Sequence, residues 1–424
     1  MPKRPSRFAS GLATLACAPA LAAAQETSAA PVQATNQDLK KEIEDLRKKH
    51  DREIEDLRDE IDRLSEEAAE ARRREQVPAQ QSLSIFNPAI TVFGNFLYRD
   101  DDQPVFVDND PSEPQIDDRF LLREVELDLR APIDPWADGV LITTFEAETP
   151  GDYEASVEEG YVLLKKLPGL DSAPAGLKLK IGRFRPTFGR FNTIHLHDLP
   201  QTTYPIGVQD FLGTEGFIAD GISGEFFLPS PSEKDVLDAT VQVIDGGNIA
   251  VAPDGDSSDL ATNAHLKWFR DLVPGQDLEI GTSVWTSNAE NQLYGLDATY
   301  RWKPFVAGEW KSLLVGAEIF HSDLDDGTHA PHPGGWDLWS QYQLDRNLYI
   351  GARYGQAEDL DDESLLTQSV GAFLTYYTTE FLRFRVGVEH TESDESFLDD
   401  LNTAFFELNF IYGSHPAEPY WVNR

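Results

Sequence analysis

The sequence predicts an all-β transmembrane barrel of about 16 antiparallel strands, preceded by an α-helical coiled coil. The first observation behind this is a series of segments of about ten residues, between residues 89 and 413, in which apolar and polar residues alternate. In Arg119–Arg130 one face carries Leu121, Val125, Leu127 and Leu129, and the other carries Glu124, Glu126, Asp128 and Arg130. The second observation is charge in the middle of these segments. The third is that no apolar run after the N-terminal leader approaches the roughly 18 residues of a membrane helix.

A soluble β-sandwich also has strands with one polar face, so alternation alone does not decide between the two folds. Charges such as Glu146, Lys180 and Arg385 favour the barrel, because a water-filled lumen accommodates them along its wall. Aromatic residues stand at segment ends, as they do at both edges of a membrane: Phe93, Tyr98, Trp136, Trp268, Trp302, Trp336 and Tyr412. Besides the helix, a closed barrel is the structure that satisfies backbone polar groups in lipid.

The connections between segments alternate between long and short, which predicts the side of the membrane that each one faces. The long set, expected outside the cell, is 99–118, 149–154, 186–214, 245–260, 287–291, 322–334, 358–366 and 392–401. The periplasmic set is mostly tight: 131–138, 167–175, 229–235, 271–277, 303–311, 345–346 and 378–380. Acidic runs at Asp100–Asp102, Asp323–Asp326 and Asp359–Glu363 all fall in the outer set. We expect these loops either to bind divalent cations or to be solvated without a specific ligand.

The N-terminus has the pattern of an export signal. Lys3, Arg4 and Arg7 precede an apolar run that ends at Ala24, which predicts a signal peptide over residues 1–24 and a linker over 25–35. The single cysteine, Cys17, lies inside the signal, so the exported chain would contain no disulfide. A lipoprotein attached through Cys17 is the alternative, although the preceding residues fit the lipidation pattern poorly. The formal net charge of −38 argues against a nucleic-acid partner.

Residues 36–75 contain neither Gly nor Pro and are dense in charge, which predicts a coiled coil in the periplasm. Its apolar stripe is Leu39, Ile43, Leu46, Ile54, Leu57, Ile61 and Leu64. The Ile-x-x-Leu pairs step by 11 and then by 7 residues, so a stutter interrupts the repeat near His50. The Ile and Leu positions favour a coiled coil of two helices, whereas the membrane context favours three helices. The alternative is a solvated spacer helix that does not associate. A linker over 76–86 then leads to the barrel, 87–424.

The most distinctive local pattern lies in residues 176–229, GLKLKIGRFRPTFGRFNTIHLHDLPQTTYPIGVQDFLGTEGFIADGISGEFFLP. A strand is followed by Gly-Arg-Phe-Arg-Pro-x-Phe-Gly-Arg, a long loop and a Gly-rich return strand. With the leader, the coiled coil and the barrel, this pattern resembles the phosphate-selective porin O and P family. The resemblance implies a trimeric outer-membrane channel of about 16 strands whose third outer loop folds inward as the constriction. It also implies an anion path lined by basic residues, which here are Lys178, Lys180, Arg183, Arg185 and Arg190.

The same loop contains two imidazoles and a carboxylate, at His195, His197 and Asp198. Alternate residues of an extended segment share a face, so the three form a candidate zinc site. The other interpretation, which the weakness of a lone His-x-His favours, is that histidine–carboxylate hydrogen bonds hold the loop to the barrel wall. No cofactor is predicted.

The sequence therefore predicts a porin in the outer membrane of a Gram-negative bacterium, which passes small hydrophilic solutes or ions, anions among them, without catalysis. Its expected partners are two further copies of the chain, outer-membrane lipid and the solutes. One alternative is a structural tether or adhesin with a barrel anchor. Another is an enzyme of the outer-membrane phospholipase type, for which the nearest Ser–His pairs are His390 with Ser393 and His321 with Ser322. Neither serine has the glycine-flanked setting of a nucleophile.

Overall fold

The structure is a computed structural model that describes residues 41, 43–49, 88–106, 115–116, 119–147, 153–167, 169, 173–247, 249–252, 260–287, 291–304, 310–325, 330–394 and 400–414. The chain divides into two compact units, Met1–Ala79 and Gln80–Arg424.

In the first unit, Lys41 and residues 43–49 are helical, and Glu44 pairs with Lys48 at 3.2 Å. Ile43 and Leu46 are exposed on this helix. The rest of the predicted coiled coil, the signal peptide over 1–24 and the linkers over 25–35 and 76–86 lie outside the described residues. No helix among the described residues combines the length and the apolar character needed to cross a membrane.

In the second unit, 16 antiparallel strands form one closed barrel, which confirms the predicted barrel fold. The strands are β1 (Ala89–Asp101), β2 (Arg119–Asp134), β3 (Ala137–Ala147), β4 (Tyr153–Leu164), β5 (Lys178–Phe184), β6 (Ala219–Leu228), β7 (Asp235–Asp245), β8 (Leu260–Val273), β9 (Gln276–Ser287), β10 (Asn291–Trp302), β11 (Leu313–Asp323), β12 (Gly334–Asp345), β13 (Leu348–Glu358), β14 (Leu366–Thr379), β15 (Leu382–Ser393) and β16 (Leu401–Gly413). Each strand pairs with its neighbours in sequence, and β1 closes the barrel by pairing with β16. A two-stranded ribbon of Val105–Phe106 and Gln115–Ile116 lies in the first long connection.

The wall has an apolar outer face and a polar inner face. In β7, Val241 and Val243 are 46 % and 47 % exposed, whereas Gln242 between them is 1 % exposed. The pattern extends around the barrel, where buried polar side chains include Asn95, Asp297, Glu318, Asp337, Arg385 and Glu407. Apolar side chains exposed over such a large surface fit a barrel that has lipid outside.

Two-residue turns make several short connections, as in Pro274–Gly275 between β8 and β9. Gly275 has φ +80°, and a Cβ at this position would lie 2.2 Å from the carbonyl oxygen of Lys303. A proline followed by a residue with positive φ is typical of a type II turn, which requires glycine at that place. The turn sets the register in which Val273 faces Gln276.

Two β-bulges change which residues face the interior. On β1, Asn95 pairs with Glu124 of β2, and the next residue, Phe96, pairs with Leu122. Arg123 is therefore the extra residue of β2. In β4, Glu158 is the extra residue in the pairing with β3. A bulge turns an additional side chain toward one face. The predicted lipid-facing set of β2 is therefore wrong at Leu121, which precedes the bulge and is 6 % exposed inside the barrel.

Candidate functional site

The third long connection, residues 185–218, lies inside the barrel and is called the inner loop below. It follows β5, which at 7 residues is the shortest barrel strand. It contains two short 3-10 turns, Phe191–Thr193 and Leu196–Asp198, and one helix, α1 (Ile206–Leu212). The inward path is the one that the family resemblance implies.

Apolar packing is the first reason why the inner loop enters the barrel. Phe191 and Phe211 are completely buried. Phe191 contacts Trp339 edge-on with ring centroids 5.4 Å apart, and Phe211 stacks on Phe320 at 5.5 Å. Trp339 and Phe320 lie on the inner faces of β12 and β11, where apolar side chains are unusual for a water-filled barrel. Each buried phenylalanine contributes roughly 1.5–3 kcal/mol, so this cluster accounts for much of the loop's attachment.

Arginines of the inner wall bind main-chain carbonyls of one half of the loop. Nη1 of Arg385 donates to Gln201 O at 2.5 Å, and Nη2 donates to Leu199 O at 2.7 Å. The others are Arg383 to His197 (2.6 Å), Arg353 to Thr203 and Tyr204 (2.7 and 2.9 Å), and Arg123 to Thr202 (2.9 Å). A guanidinium presents several donors in a fixed fork, so one side chain can hold successive carbonyls. Arg385 also pairs with the fully buried Glu407 at 2.8 Å.

Carboxylates on the neighbouring strands β11 and β12 bind main-chain amides of the loop. Oε1 of Glu318 accepts hydrogen bonds from the amides of Arg190 and Phe191, at 2.7 and 2.8 Å. Oδ2 of Asp337 accepts one from Gly207 at 3.1 Å. Glycine favours this close approach, since a Cβ would lie 2.6 Å from that carboxylate oxygen. The inner loop is therefore held by donors on β2, β13 and β15 and by acceptors on β11 and β12, which all lie along one continuous part of the barrel wall.

The two histidines of the loop meet carboxylates of β2 and β4. Nδ1 of His195 lies 3.0 Å from Glu158 Oε2 and 3.2 Å from Glu126 Oε2. Nδ1 of His197 lies 3.4 Å from Glu126 Oε2 and 3.7 Å from Glu124 Oε1. Asp198 lies on the other side of the His197 ring, 3.8 Å from Nε2, so it does not join these carboxylates around Nδ1.

Charge raises the proton affinity of both imidazoles. Burial lowers the pKa of His197, but the carboxylates, Glu126 first and then Asp198, outweigh it and raise the pKa to about 9. For His195, burial again opposes charging, and the charge and hydrogen bond of Glu126 raise the pKa well above the ordinary value. The surrounding carboxylates therefore favour the cationic form of both imidazoles.

The predicted basic cluster does not form one unopposed patch. Arg185 is buried against Glu158, and Arg190 pairs with Glu279. Lys178 lies 3.9 Å from Glu225, whereas Lys180 covers the ring of Tyr161 at 4.4 Å. Apart from Lys180, each of these cations has a carboxylate beside it.

Arg183 lies on the other side of the wall. It shares its strand face with Ile181, which is 42 % exposed on the outside, and it pairs with Asp220 at 3.3 Å. This position does not support the predicted role of Arg183 in the ion path, which remains a prediction.

Sequence reasoning placed Arg385 on the water-facing side but did not identify it as a loop anchor, and it did not single out Arg353 at all. The available signal was a lone arginine in the middle of a polar strand face. Such a signal indicates an inward side chain and gives no information about the partner.

Comparison with known proteins gives the fold and little beyond it. No family model matches the chain. An uncharacterized protein of Aquifex aeolicus (strain VF5) is 25 % identical over 349 residues, which cover 71 % of this chain and 70 % of that protein. An anion-selective porin from Comamonas acidovorans has a TM-score of 0.51 at 8 % identity, covering 77 % of this chain and all of that one. The high-pH structure of Pseudomonas putida OprB has a TM-score of 0.50 at 11 % identity, covering 77 % and 94 %. At such identities the likeness concerns the fold of these barrels alone.

Proposed function

We propose that the protein is an outer-membrane porin that passes small hydrophilic solutes by passive diffusion. The observation that carries this proposal is the two-sided wall, apolar outside and charged inside. Inner-wall charges remain in contact with water: the side chains of Lys178, Glu225 and Lys267 are 43 %, 47 % and 34 % exposed. A lumen with water-accessible charges lowers the cost of moving a hydrated solute through the membrane.

Selectivity for anions or phosphate, the finer prediction from the family resemblance, receives less support than general diffusion. Opposite charges a few ångströms apart largely cancel at the distance of a passing ion. We propose weak ion selectivity, because Lys178, Arg185 and Arg190 are each paired with a carboxylate. Assembly as a homotrimer and a periplasmic coiled coil belong to the same proposal, and the exposed Ile43 and Leu46 support them, since a partner helix would cover both.

We also propose that the barrel has no catalytic role. Both imidazole nitrogens of His390 are engaged, with Asn402 at 2.9 Å and Glu392 at 3.0 Å. The hydroxyl of Ser393 shares a hydrogen bond with Thr367 at 2.9 Å. With both of its nitrogens engaged by these groups, His390 is not placed to act as the base of a serine nucleophile.

Planar-bilayer recording of the purified full chain tests the channel. We expect discrete conductance steps that decrease when Thr193, an exposed residue of the inner loop, is replaced by Trp. Ile222→Trp is the matched control, since Ile222 is 50 % exposed on the outer face and should leave conductance unchanged. A folded barrel without conductance would refute the channel and favour a tether.

Reversal potentials in a salt gradient test the selectivity. Lys178→Glu should shift the potential toward cations, because it adds charge at a water-accessible place in the lumen. Arg183→Glu makes the same change in charge on the outer face and should have no effect. An equal shift for both variants would contradict the assigned faces. A strong anion preference of the unaltered protein would contradict weak selectivity while leaving the channel proposal intact.

A further inference from the structure

A cluster where the inner loop meets β2 has the geometry of a metal site. Glu124, Glu126 and His197 each offer one ligand atom within 4.8 Å of the others. Nδ1 of His197 is 3.4 Å from Glu126 Oε2 and 3.7 Å from Glu124 Oε1. Bonds of about 2.0–2.2 Å in a tetrahedral zinc site place ligand atoms about 3.3–3.6 Å apart. The side chains are therefore close to a binding arrangement without movement of the backbone.

Several ligand atoms of this cluster are buried and make no hydrogen bond within the described residues, although Glu126 Oε2 also lies 3.2 Å from His195 Nδ1. Glu126, Glu124 and His197 are 1 %, 4 % and 5 % exposed. Nevertheless His197 Nδ1, Glu126 Oε2 and Glu124 Oε2 have no hydrogen-bond partner within the part of the chain that the structure describes. Buried polar atoms almost always have a partner, since leaving them without one costs free energy. A cation bound between them would remove that cost.

The surroundings of His197 orient its ring toward the two carboxylates. The imidazole stacks on Phe93 with ring centroids 4.1 Å apart. Its other nitrogen, Nε2, lies 3.8 Å from Asp198 Oδ2. A ligating histidine usually directs its second nitrogen at a carboxylate or carbonyl, which fixes the tautomer that binds the metal. Asp198 would have this supporting role, in contrast to the ligand role predicted from the sequence.

Local charge also favours a divalent ion. Glu124, Glu126, Glu158 and Glu159 are all buried around the two histidines, and Arg185 pairs with Glu158. A divalent cation bound among these carboxylates would offset part of their negative charge.

We propose that Glu124, Glu126 and His197 bind one divalent transition-metal ion of the zinc class, which ties the inner loop to β2. One imidazole with two carboxylates suits zinc and its neighbours, whereas calcium and magnesium select all-oxygen sites. The second group, His195 with Glu126 and Glu158, is less suitable, because His195 Nδ1 is hydrogen bonded to Glu158 at 3.0 Å. The site does not depend on the barrel being a channel.

Zinc titration of the metal-stripped full chain in detergent, against a chromophoric chelator, tests the proposal. We expect one zinc ion per chain, and affinity reduced by at least about 100-fold in Glu126→Gln and in His197→Gln. His265→Gln is the matched control: it is also a buried inner-wall histidine, bonded to Ser283 at 2.8 Å, and should bind zinc like the unaltered chain. Cobalt should bind with the intense visible bands of a tetrahedral site, and calcium should not compete.

Two further variants keep the outcome decisive. Closure of each barrel is checked by its heat-modifiable mobility on gels, and Glu124→Gln replaces any variant that does not close. His332→Gln removes an exposed histidine that lies 2.9 Å from Asp323, where zinc could bind at the surface. Zinc binding that survives His197→Gln, or is lost in His332→Gln, would overturn the proposal. The proposal would also be overturned if the unaltered chain bound zinc no better than His197→Gln. Ion pairs alone would then connect the inner loop to β2.

Discussion

Replacement of Arg385 by Met should destabilise the barrel and release one side of the inner loop. The Arg385 side chain is completely buried and donates to Leu199 O, Gln201 O, Thr375 Oγ1 and Glu407. Methionine has a similar length and fills the space, so the main loss is electrostatic. The substitution leaves the carbonyls of Leu199 and Gln201 without these donors. Glu407 keeps one ion pair, with Arg383 at 3.2 Å.

The size of the effect follows from burial. Removing one partner of a buried ion pair costs about 3–5 kcal/mol. Here the retained Arg383 offsets part of that cost, and the two carbonyls left without donors add to it. Arg301 provides the control, since its pair with Asp277 at 2.7 Å has side chains that are 39 % and 16 % exposed. A pair that water reaches contributes about 0–1 kcal/mol. We therefore expect Arg385→Met to lower the free energy of unfolding by about 3–5 kcal/mol and Arg301→Met by less than about 1 kcal/mol.

Urea unfolding of barrels refolded into lipid vesicles measures both free energies of unfolding. Bilayer recording detects release of the inner loop as a change in single-channel current. Arg385→Met should also give larger and noisier single-channel currents, because carbonyls 199 and 201 lose their anchor. A double-mutant cycle with Glu407→Gln separates the ion pair from the carbonyl contacts. If Arg385→Met costs no more than Arg301→Met and leaves the currents unchanged, the arginine anchors do not hold the loop.

Three other outcomes are expected. Replacing Glu225 by Gln should shift the reversal potential toward anions, because Lys178 at 3.9 Å loses its counter-charge; an unchanged potential would show that this pair lies away from the solute path. Desolvation by the surrounding protein and the neighbouring Glu146 carboxylate raise the pKa of Glu215 to about 8. Cation preference should therefore increase as the pH rises through about 8 and the group becomes charged, and Glu215→Gln should abolish this dependence. Deletion of residues 37–74 should leave a conducting barrel that dissociates to monomers at lower temperature on gels; loss of the barrel itself would contradict separate roles for the two units.

The barrel was predictable because lipid and water impose a period of two on every strand. Each segment shows this period in the order of its apolar and polar residues. Ala89 and Gly413, the predicted ends of the strand series, are therefore also the ends of the barrel. The same parity could have placed Arg183 correctly. Lys178 and Lys180 share one face of β5, and an odd-numbered neighbour must lie on the other. Grouping the basic residues by proximity in sequence, as the family resemblance suggested, concealed this.

The bulges leave only a small trace in the sequence, because each adds one polar residue beside another, Arg123 before Glu124 and Glu158 before Glu159. The pairing with the neighbouring strand is what shows which residue is inserted. Both insertions matter for the site. Arg123 binds Thr202 of the inner loop, and Glu158 binds His195. The contacts of the inner loop are also far apart in sequence, so local patterns could not pair them.

The position of the inner loop is set by the wall more than by the loop itself. Its regular structure is one helix of 7 residues and two short 3-10 turns, too little to hold a conformation alone. The wall supplies arginines where carbonyls 197–204 lie and carboxylates where the amides of Arg190, Phe191 and Gly207 lie. A loop displaced by one residue would direct carbonyls at carboxylates and amides at guanidinium groups, leaving buried polar groups on both sides unsatisfied. The order of donors and acceptors along the wall therefore specifies the register of the loop, and the aromatic cluster supplies much of its attachment.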